Sequence, residues 1–134
     1  NLNRNSGMIT LAAIWFGAVL IWDILTDYKT WLSGRVVDHW GGAILRALLL
    51  IPCIIFLTLG HPIYLVFTAS LLLFAVWWFV FDGILNLMTG VSFFHVGKSA
   101  MLDKMQARWL PWVRGAVKTL LMLSAGMLYY KLTQ

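Results

Sequence analysis

The chain has 134 residues, of which 61% are hydrophobic and only 11% are charged, and its mean hydropathy is +0.84. A soluble domain has roughly 25% charged residues, so this composition excludes water as the main solvent and favours a protein that crosses a membrane several times. The net charge of +5 comes from lysines and arginines that flank apolar segments and form no basic stripe. We therefore expect no nucleic-acid partner, and we expect contacts with anionic lipid headgroups.

Four apolar segments predict a single transmembrane domain over residues 1–134. The expected spans cover residues 8–28, 42–59, 62–86 and 113–130, and a bilayer needs about 20 residues per helix. The basic start and apolar run of the first span resemble a signal peptide, but no A-x-A site follows, so we expect a retained helix. Pro52 predicts a kink in the second span. Gly60 and Pro62, which suit a helix end and a helix start, predict an antiparallel hairpin with the third.

The connection before the last span predicts an amphipathic helix over residues 99–110, lying in the headgroup region. Its apolar side chains recur at helical spacing, and its cations point elsewhere. The candidate interfacial residues are Lys98, Lys104, Arg108, Trp109 and Trp112. The predicted fold class is all-α, an integral membrane bundle of four transmembrane helices with one interfacial amphipathic helix.

The distribution of lysine and arginine predicts the orientation of the chain. With four spans, the two longer connections share one side of the membrane, and they carry most of the cations. The positive-inside rule then places these connections in the cytoplasm and both termini outside it, and we expect the membrane to be a bacterial inner membrane.

Seven polar side chains within or beside the predicted spans are candidates for a site, because such groups are costly in a membrane and often functional. They are Asp23, Asp27, Asp38, His39, Arg46, Asp82 and Asn86. Asp23 and Asp27 are four residues apart, as are Asp82 and Asn86, so each pair shares one helical face. Because the spans alternate in direction, these faces and Arg46 are expected at one depth near the cytoplasmic end. We predict an ion pair between Arg46 and either Asp82 or Asp23.

This polar cluster has three interpretations: it holds the bundle together, it conducts protons or ions, or it forms a catalytic site. Asp23, Asp27 and His39 are conceivable metal ligands, but the chain lacks the tight pairs, such as H-x-x-x-H, that indicate a metal site. We therefore predict no metal and no cofactor, and we assign no catalytic residue. Cys53, the single cysteine, is expected to be a buried small hydrophobe.

Three stretches carry a recurring pattern: DHWGGAILRA at residues 38–47, FDGILNLMTG at 81–90 and FFHVGKSAMLDK at 93–104. The order F-D-x-x-x-N-x-x-x-G, an aromatic pair and G-x-[ST]-A-x-x-D resembles small uncharacterised polytopic membrane proteins of phages and prophages of Bacteroidota. The resemblance covers roughly half of the chain and implies an origin without an established activity. It marks as pattern-bearing positions His39, Arg46, Asp82, Asn86, Gly90, Gly97, Ser99 and Asp103.

The leading functional prediction is a small non-enzymatic protein of the inner membrane, phage-derived, that acts as a homo-oligomer or in a larger membrane assembly. Pore formation of the holin type is its most concrete version, and a membrane-assembly factor is another. One alternative is a small channel or transporter that uses an Arg46/Asp82 polar layer. The other is an interfacial enzyme acting on lipids, with Asp23, Asp27 and His39 at the membrane surface.

Overall fold

A computed structural model describes residues 2–35, 39–95 and 101–134, with side chains for 6–35, 41–95 and 104–134. Within these ranges the chain is helical and contains no strand, so the all-α prediction is confirmed there. The helices are α1 (Leu2–Leu32), α2 (His39–Thr58), α3 (Tyr64–Met88), α4 (Met101–Gln106) and α5 (Pro111–Thr133).

In the described part of the chain, three helices are long and apolar enough to cross a membrane. They are Ser6–Leu32 within α1, Gly41–Thr58 within α2 and Tyr64–Met88, which is α3. They coincide with the first three predicted spans and are compatible with an integral membrane protein. α5 overlaps the fourth predicted span but is less apolar, and it carries Arg114, Lys118 and Lys131.

α1 and α2 pair antiparallel along most of their length. The Trp15 indole donates a hydrogen bond to the Leu49 carbonyl at 2.8 Å, and the Cys53 thiol lies 3.6 Å from the Ala12 carbonyl oxygen. Cys53 is fully buried, as the sequence predicts. Pro52 lies inside α2, which is helical on both sides of it.

α3 is the central helix, because it contacts α1, α2 and α5. The turn before it contains Gly60 with a φ of +84°, a left-handed conformation that glycine adopts without steric cost. On the side facing α1, a core forms from Leu20, Ile24 and Phe81. α5 runs antiparallel to α3 and is joined to α2 by a hydrogen bond from the Tyr129 hydroxyl to the Leu57 carbonyl at 2.8 Å.

The predicted interfacial helix over 99–110 is too long at its C-terminal end. α4 ends at Gln106, and Leu110 has an extended backbone with φ −63° and ψ +145°. Leu110 precedes Pro111, and the ring of a proline disfavours helical conformation in the residue before it, which accounts for Leu110 but not for the turn at residues 107–109. The predicted start at Ser99 lies outside the described residues.

Candidate functional site

The guanidinium of Arg46 on α2 binds two aspartates of α1. Its Nε lies 2.8 Å from Oδ1 and 2.7 Å from Oδ2 of Asp23, and its Nη2 lies 2.8 Å from Oδ2 of Asp27. The Arg46, Asp23 and Asp27 side chains are 13%, 6% and 13% exposed. Aspartates four residues apart present both carboxylates to one guanidinium, whose planar fork suits charge-assisted hydrogen bonds in two directions.

Two aromatic rings of α3 complete this arrangement. The centroids of Trp77 and Phe81 each lie 5.0 Å from Cζ of Arg46, within the range of cation–π attraction, and the two rings stack on each other at 4.5 Å. The Trp77 indole also donates to Oδ2 of Asp23 at 3.2 Å. These five residues, called here the Arg46 cluster, therefore tie α1, α2 and α3 together at one end of the bundle.

A second ion pair joins α3 to α5. Nζ of Lys118 lies 2.6 Å from Oδ2 of Asp82 and 4.9 Å from the centroid of the Trp78 ring. The Lys118 side chain is 4% exposed, whereas that of Asp82 is 26% exposed. The ammonium is thus almost completely enclosed by protein, while its carboxylate partner keeps an opening to the surroundings.

Of the two ion pairs predicted for Arg46, the structure contains the one with Asp23, and the alternative with Asp82 is wrong. Phe81, next to Asp82, faces Arg46, and consecutive residues of a helix point about 100° apart. Asp82 is therefore directed at α5, where Lys118 neutralises it. Lys118 lies inside the predicted span 113–130 and is not among the predicted site residues. Lys118 lies two turns after Pro111 and is level with Asp82, and this position is the feature of the sequence that indicates the pair.

The Asn86 side chain hydrogen-bonds to the loop that follows α3, although its spacing from Asp82 predicts a place in the polar cluster. Its side-chain amide donates to the carbonyls of Phe93, at 3.0 Å, and His95, at 2.8 Å. Arg114 at the start of α5 donates to the carbonyls of Gln106, at 2.9 Å, and Phe94, at 3.5 Å. Polar side chains of both helices thus bind this loop through its backbone.

The loop inserts two aromatic side chains between α3 and α5. The Phe93 ring occupies the space beside Gly83, and the Phe94 ring lies 3.0 Å from the position that a Cβ on Gly115 would take. The two rings pack edge to face at 5.0 Å, and Phe79 of α3 contacts both. A side chain at position 83 would collide with the Phe93 ring, whereas one at position 115 would make a tight contact with the Phe94 ring.

We expect Gly83→Ala to destabilise the fold by about 1–3 kcal/mol, the usual cost of overpacking, because the new methyl group would collide with the Phe93 ring. Gly126→Ala is the matched control in α5. Its methyl group would meet Leu72 at an ordinary 3.8 Å, and alanine favours a helix by up to about 1 kcal/mol over glycine. The unfolding temperature in detergent should therefore fall in Gly83→Ala and rise in Gly126→Ala. Equal stability of the two variants would contradict the packing of Phe93.

The remaining predicted residues are distributed as follows. Asp38 and Lys98 lie outside the described residues, as does the side chain of His39. Lys104 and Arg108 are exposed, Trp109 is half-buried and Trp112 is 70% exposed. Among the described residues, no group of three or more histidine, cysteine, aspartate or glutamate side chains could hold a metal ion. Asp23 and Asp27, which the lipid-enzyme alternative would use, are both bound by Arg46.

The chain matches no protein-family model, no curated protein and no solved structure. What the fold and the site define, over the described residues, is a helical protein whose apolar helices are compatible with an integral membrane protein and whose ion pairs tie its helices together. The resemblance to membrane proteins of phages and prophages stays a prediction.

Proposed function

We propose that this chain is a small non-enzymatic protein of a bacterial inner membrane, derived from a phage, that acts by assembling with copies of itself in the manner of a holin. The observation that carries this proposal is how few residues of α2 are buried. In its apolar segment, Gly41–Thr58, only 6% of the residues are buried, against 28% in an 18-residue apolar stretch of α1 and in one of α3. α2 therefore has the smallest share of buried residues of the three.

The exposed apolar side chains of α2 recur at the spacing seen where one helix packs against another. Ile44, Leu48, Ile51 and Ile55 follow one another at intervals of four, three and four residues, and they are between 46% and 62% exposed. This α2 stripe follows the roughly 3.6-residue turn of an α-helix, so the four side chains lie along one face, where they can pack against another helix. Lipid chains are as apolar as leucine, so association within a bilayer depends on such packing.

The ion pairs support a structural role for the polar cluster. Each of the three aspartates whose side chains are described is bound by a cation of the same chain. Each of these contacts also joins two different helices. We therefore infer that Arg46 and Lys118 hold the bundle together, and that assembly leaves these charges paired within each copy.

The same pairing supports α5 as a fourth span. α5 has 23 residues, which corresponds to ~34 Å at 1.5 Å per residue. Its Lys118 is neutralised by Asp82, Arg114 binds loop carbonyls at one end, and Lys131 lies at the other. With four spans, both termini lie outside the cytoplasm. Alkaline phosphatase, which is active only outside the cytoplasm, should be active when fused after Gln134. An inactive fusion would place the C-terminus in the cytoplasm and contradict this topology.

Induced expression should collapse the membrane potential abruptly after a delay, because holin-type assembly requires a critical density of protein in the membrane. A potential-sensitive dye, read during growth, measures this directly. Healthy growth with high expression in the membrane fraction would contradict the holin interpretation. Location of the gene beside an endolysin gene would support it independently.

Cross-linking tests the α2 stripe itself. We expect Leu48→Cys to form a dimer with a short bismaleimide in native membranes. Ile14→Cys is the matched control, since Ile14 is 64% exposed on the neighbouring helix α1 at a similar depth. The native Cys53 is fully buried and should not react. Equal cross-linking at positions 14 and 48 would show random collision and contradict the assigned surface.

A second candidate, a small channel or transporter, is favoured by one observation. A cavity of about 200 Å³ between α1 and α2 is lined by both carboxylates of the Arg46 cluster and by the hydroxyl-bearing residues Thr26 and Thr30. If these carboxylates relay protons, Asp27→Asn should abolish proton flux in liposomes while the thermal stability of the protein remains near that of the wild type. Unchanged flux in a stable Asp27→Asn protein would exclude this candidate.

A further inference from the structure

We propose that a groove at the C-terminal end of α1 binds one anionic phospholipid, with Lys29 and Arg35 holding its phosphate. The groove has a volume of about 510 Å³. Its lining residues lie along one face of α1 and the turn that follows: Trp22, Leu25, Thr26, Lys29, Thr30, Ser33 and Arg35. From Trp22 to Ser33 this face extends ~16 Å at 1.5 Å per residue. A specific lipid site of this kind goes beyond the assembly proposed above.

The two cations of this groove have no ion-pair partner among the residues whose side chains the structure describes. Lys29 and Arg35 are exposed, and within the described part of the chain no carboxylate lies within 4.0 Å of either. Asp27 is only two residues from Lys29, but it lies about 200° around the helix and is bound by Arg46. Arg46 and Lys118, by contrast, are each paired with aspartate. The positive charge on this part of the surface is therefore concentrated in the groove.

The hydroxyl groups that line the groove already donate hydrogen bonds within the chain. The hydroxyls of Thr26, Thr30 and Ser33 donate to backbone carbonyls of α1 at 2.8, 2.9 and 2.8 Å. Recognition of an anion is thus left to Lys29 and Arg35. A guanidinium can bind two phosphate oxygens at once, and an ammonium adds a mobile point charge, so this pair suits a phosphodiester.

The other end of the groove is apolar and indicates a lipid, not free phosphate. Trp22 and Leu25 lie one to two turns deeper along α1 than Lys29, and both are about half exposed, at 46% and 54%. Tyr28 and Trp31, which stack with centroids 5.9 Å apart, lie at the level of the cations, as aromatic residues do at a membrane interface. An acyl chain along Trp22 and Leu25 would place the phosphate between Lys29 and Arg35.

Native mass spectrometry and thermal unfolding of the full chain in a neutral detergent test this site. The probes are phosphatidylglycerol, phosphatidylcholine and inorganic phosphate. We expect selective binding of phosphatidylglycerol and a dissociation constant about 30-fold higher in K29Q/R35Q, since each cation near the membrane surface contributes about 1 kcal/mol. K104Q/R108Q removes the same charge from two other exposed positions and should leave the dissociation constant within about twofold of the wild type.

Three outcomes would overturn the proposal. An equal loss of affinity for phosphatidylglycerol in K104Q/R108Q would show that the lipid is attracted to the basic protein in general. Equal affinity for phosphatidylcholine would show that only the acyl chain is recognised, and an equal shift with inorganic phosphate would show a free-anion site. Cross-linking through Leu48→Cys is independent of each of these outcomes, so the lipid site and the assembly surface can fail separately.

Discussion

Arg46→Gln is expected to lower the free energy of unfolding by about 3–5 kcal/mol, the cost of removing one partner from a buried ion pair. The substitution leaves the carboxylates of Asp23 and Asp27 facing each other in a space that is largely closed. It also removes the guanidinium that contacts the Trp77 and Phe81 rings. Unfolding of the purified protein, followed as a denaturing detergent is titrated into neutral micelles, measures the loss.

Two further variants separate the charge of Arg46 from its geometry. Arg46→Lys keeps the charge but cannot reach both carboxylates with one planar group, so its stability should fall between those of Arg46→Gln and the wild type. Combining Arg46→Gln with Asp23→Asn and Asp27→Asn removes the uncompensated charges and should recover part of the loss. Lys131→Gln, at an exposed site near the end of α5, should change stability by less than about 0.5 kcal/mol. If Arg46→Gln changed stability as little as Lys131→Gln does, the structural role of Arg46 would be contradicted.

The second large effect concerns the pair between α3 and α5, and it should be asymmetric. Asp82→Asn leaves the ammonium of Lys118 without a counter-charge in an environment where it is 4% exposed, which should cost about 3–5 kcal/mol. Lys118→Met leaves Asp82, which is 26% exposed and can be partly solvated, so we expect a smaller loss of about 1–3 kcal/mol. The same detergent titration compares both variants.

The double variant Asp82→Leu with Lys118→Met should be close to the wild type in stability, because apolar replacement of both partners removes the desolvation cost together with the attraction. Equal losses in the two single variants, or a larger loss in Lys118→Met, would contradict the assigned burial. If Asp82→Asn folds normally but loses ion flux in liposomes, the pair is a relay and the structural interpretation is wrong.

The sequence is informative about the apolar helices because membrane insertion depends on a property summed over about 20 residues. α1, α2 and α3 fall where the apolar segments predict them. The Arg46–Asp23 contact could also be anticipated, since antiparallel neighbours place α1 residues near 23 opposite α2 residues near 46. The helical spacing of apolar residues continues past Gln106, so it does not indicate where α4 ends; Pro111 restricts only Leu110.

The facing of individual side chains could not be predicted in the same way. Phe81 and Asp82 are neighbours in sequence, yet one faces Arg46 and the other Lys118, and only the packing of α3 against both α1 and α5 decides this. The insertion of Phe93 beside Gly83 and of Phe94 beside Gly115 also depends on the complete arrangement. A glycine in an apolar segment does not by itself indicate which ring will fill the space.

The order of the charges along the chain has a consequence for biogenesis. In both ion pairs the aspartate precedes its cation: Asp23 and Asp27 precede Arg46, and Asp82 precedes Lys118. As a chain is synthesised from its N-terminus, each basic helix therefore reaches the insertion machinery after the acidic helix that neutralises it. A chain with α1 and α2 exchanged in order would present Arg46 to the bilayer first, and its insertion should be less efficient.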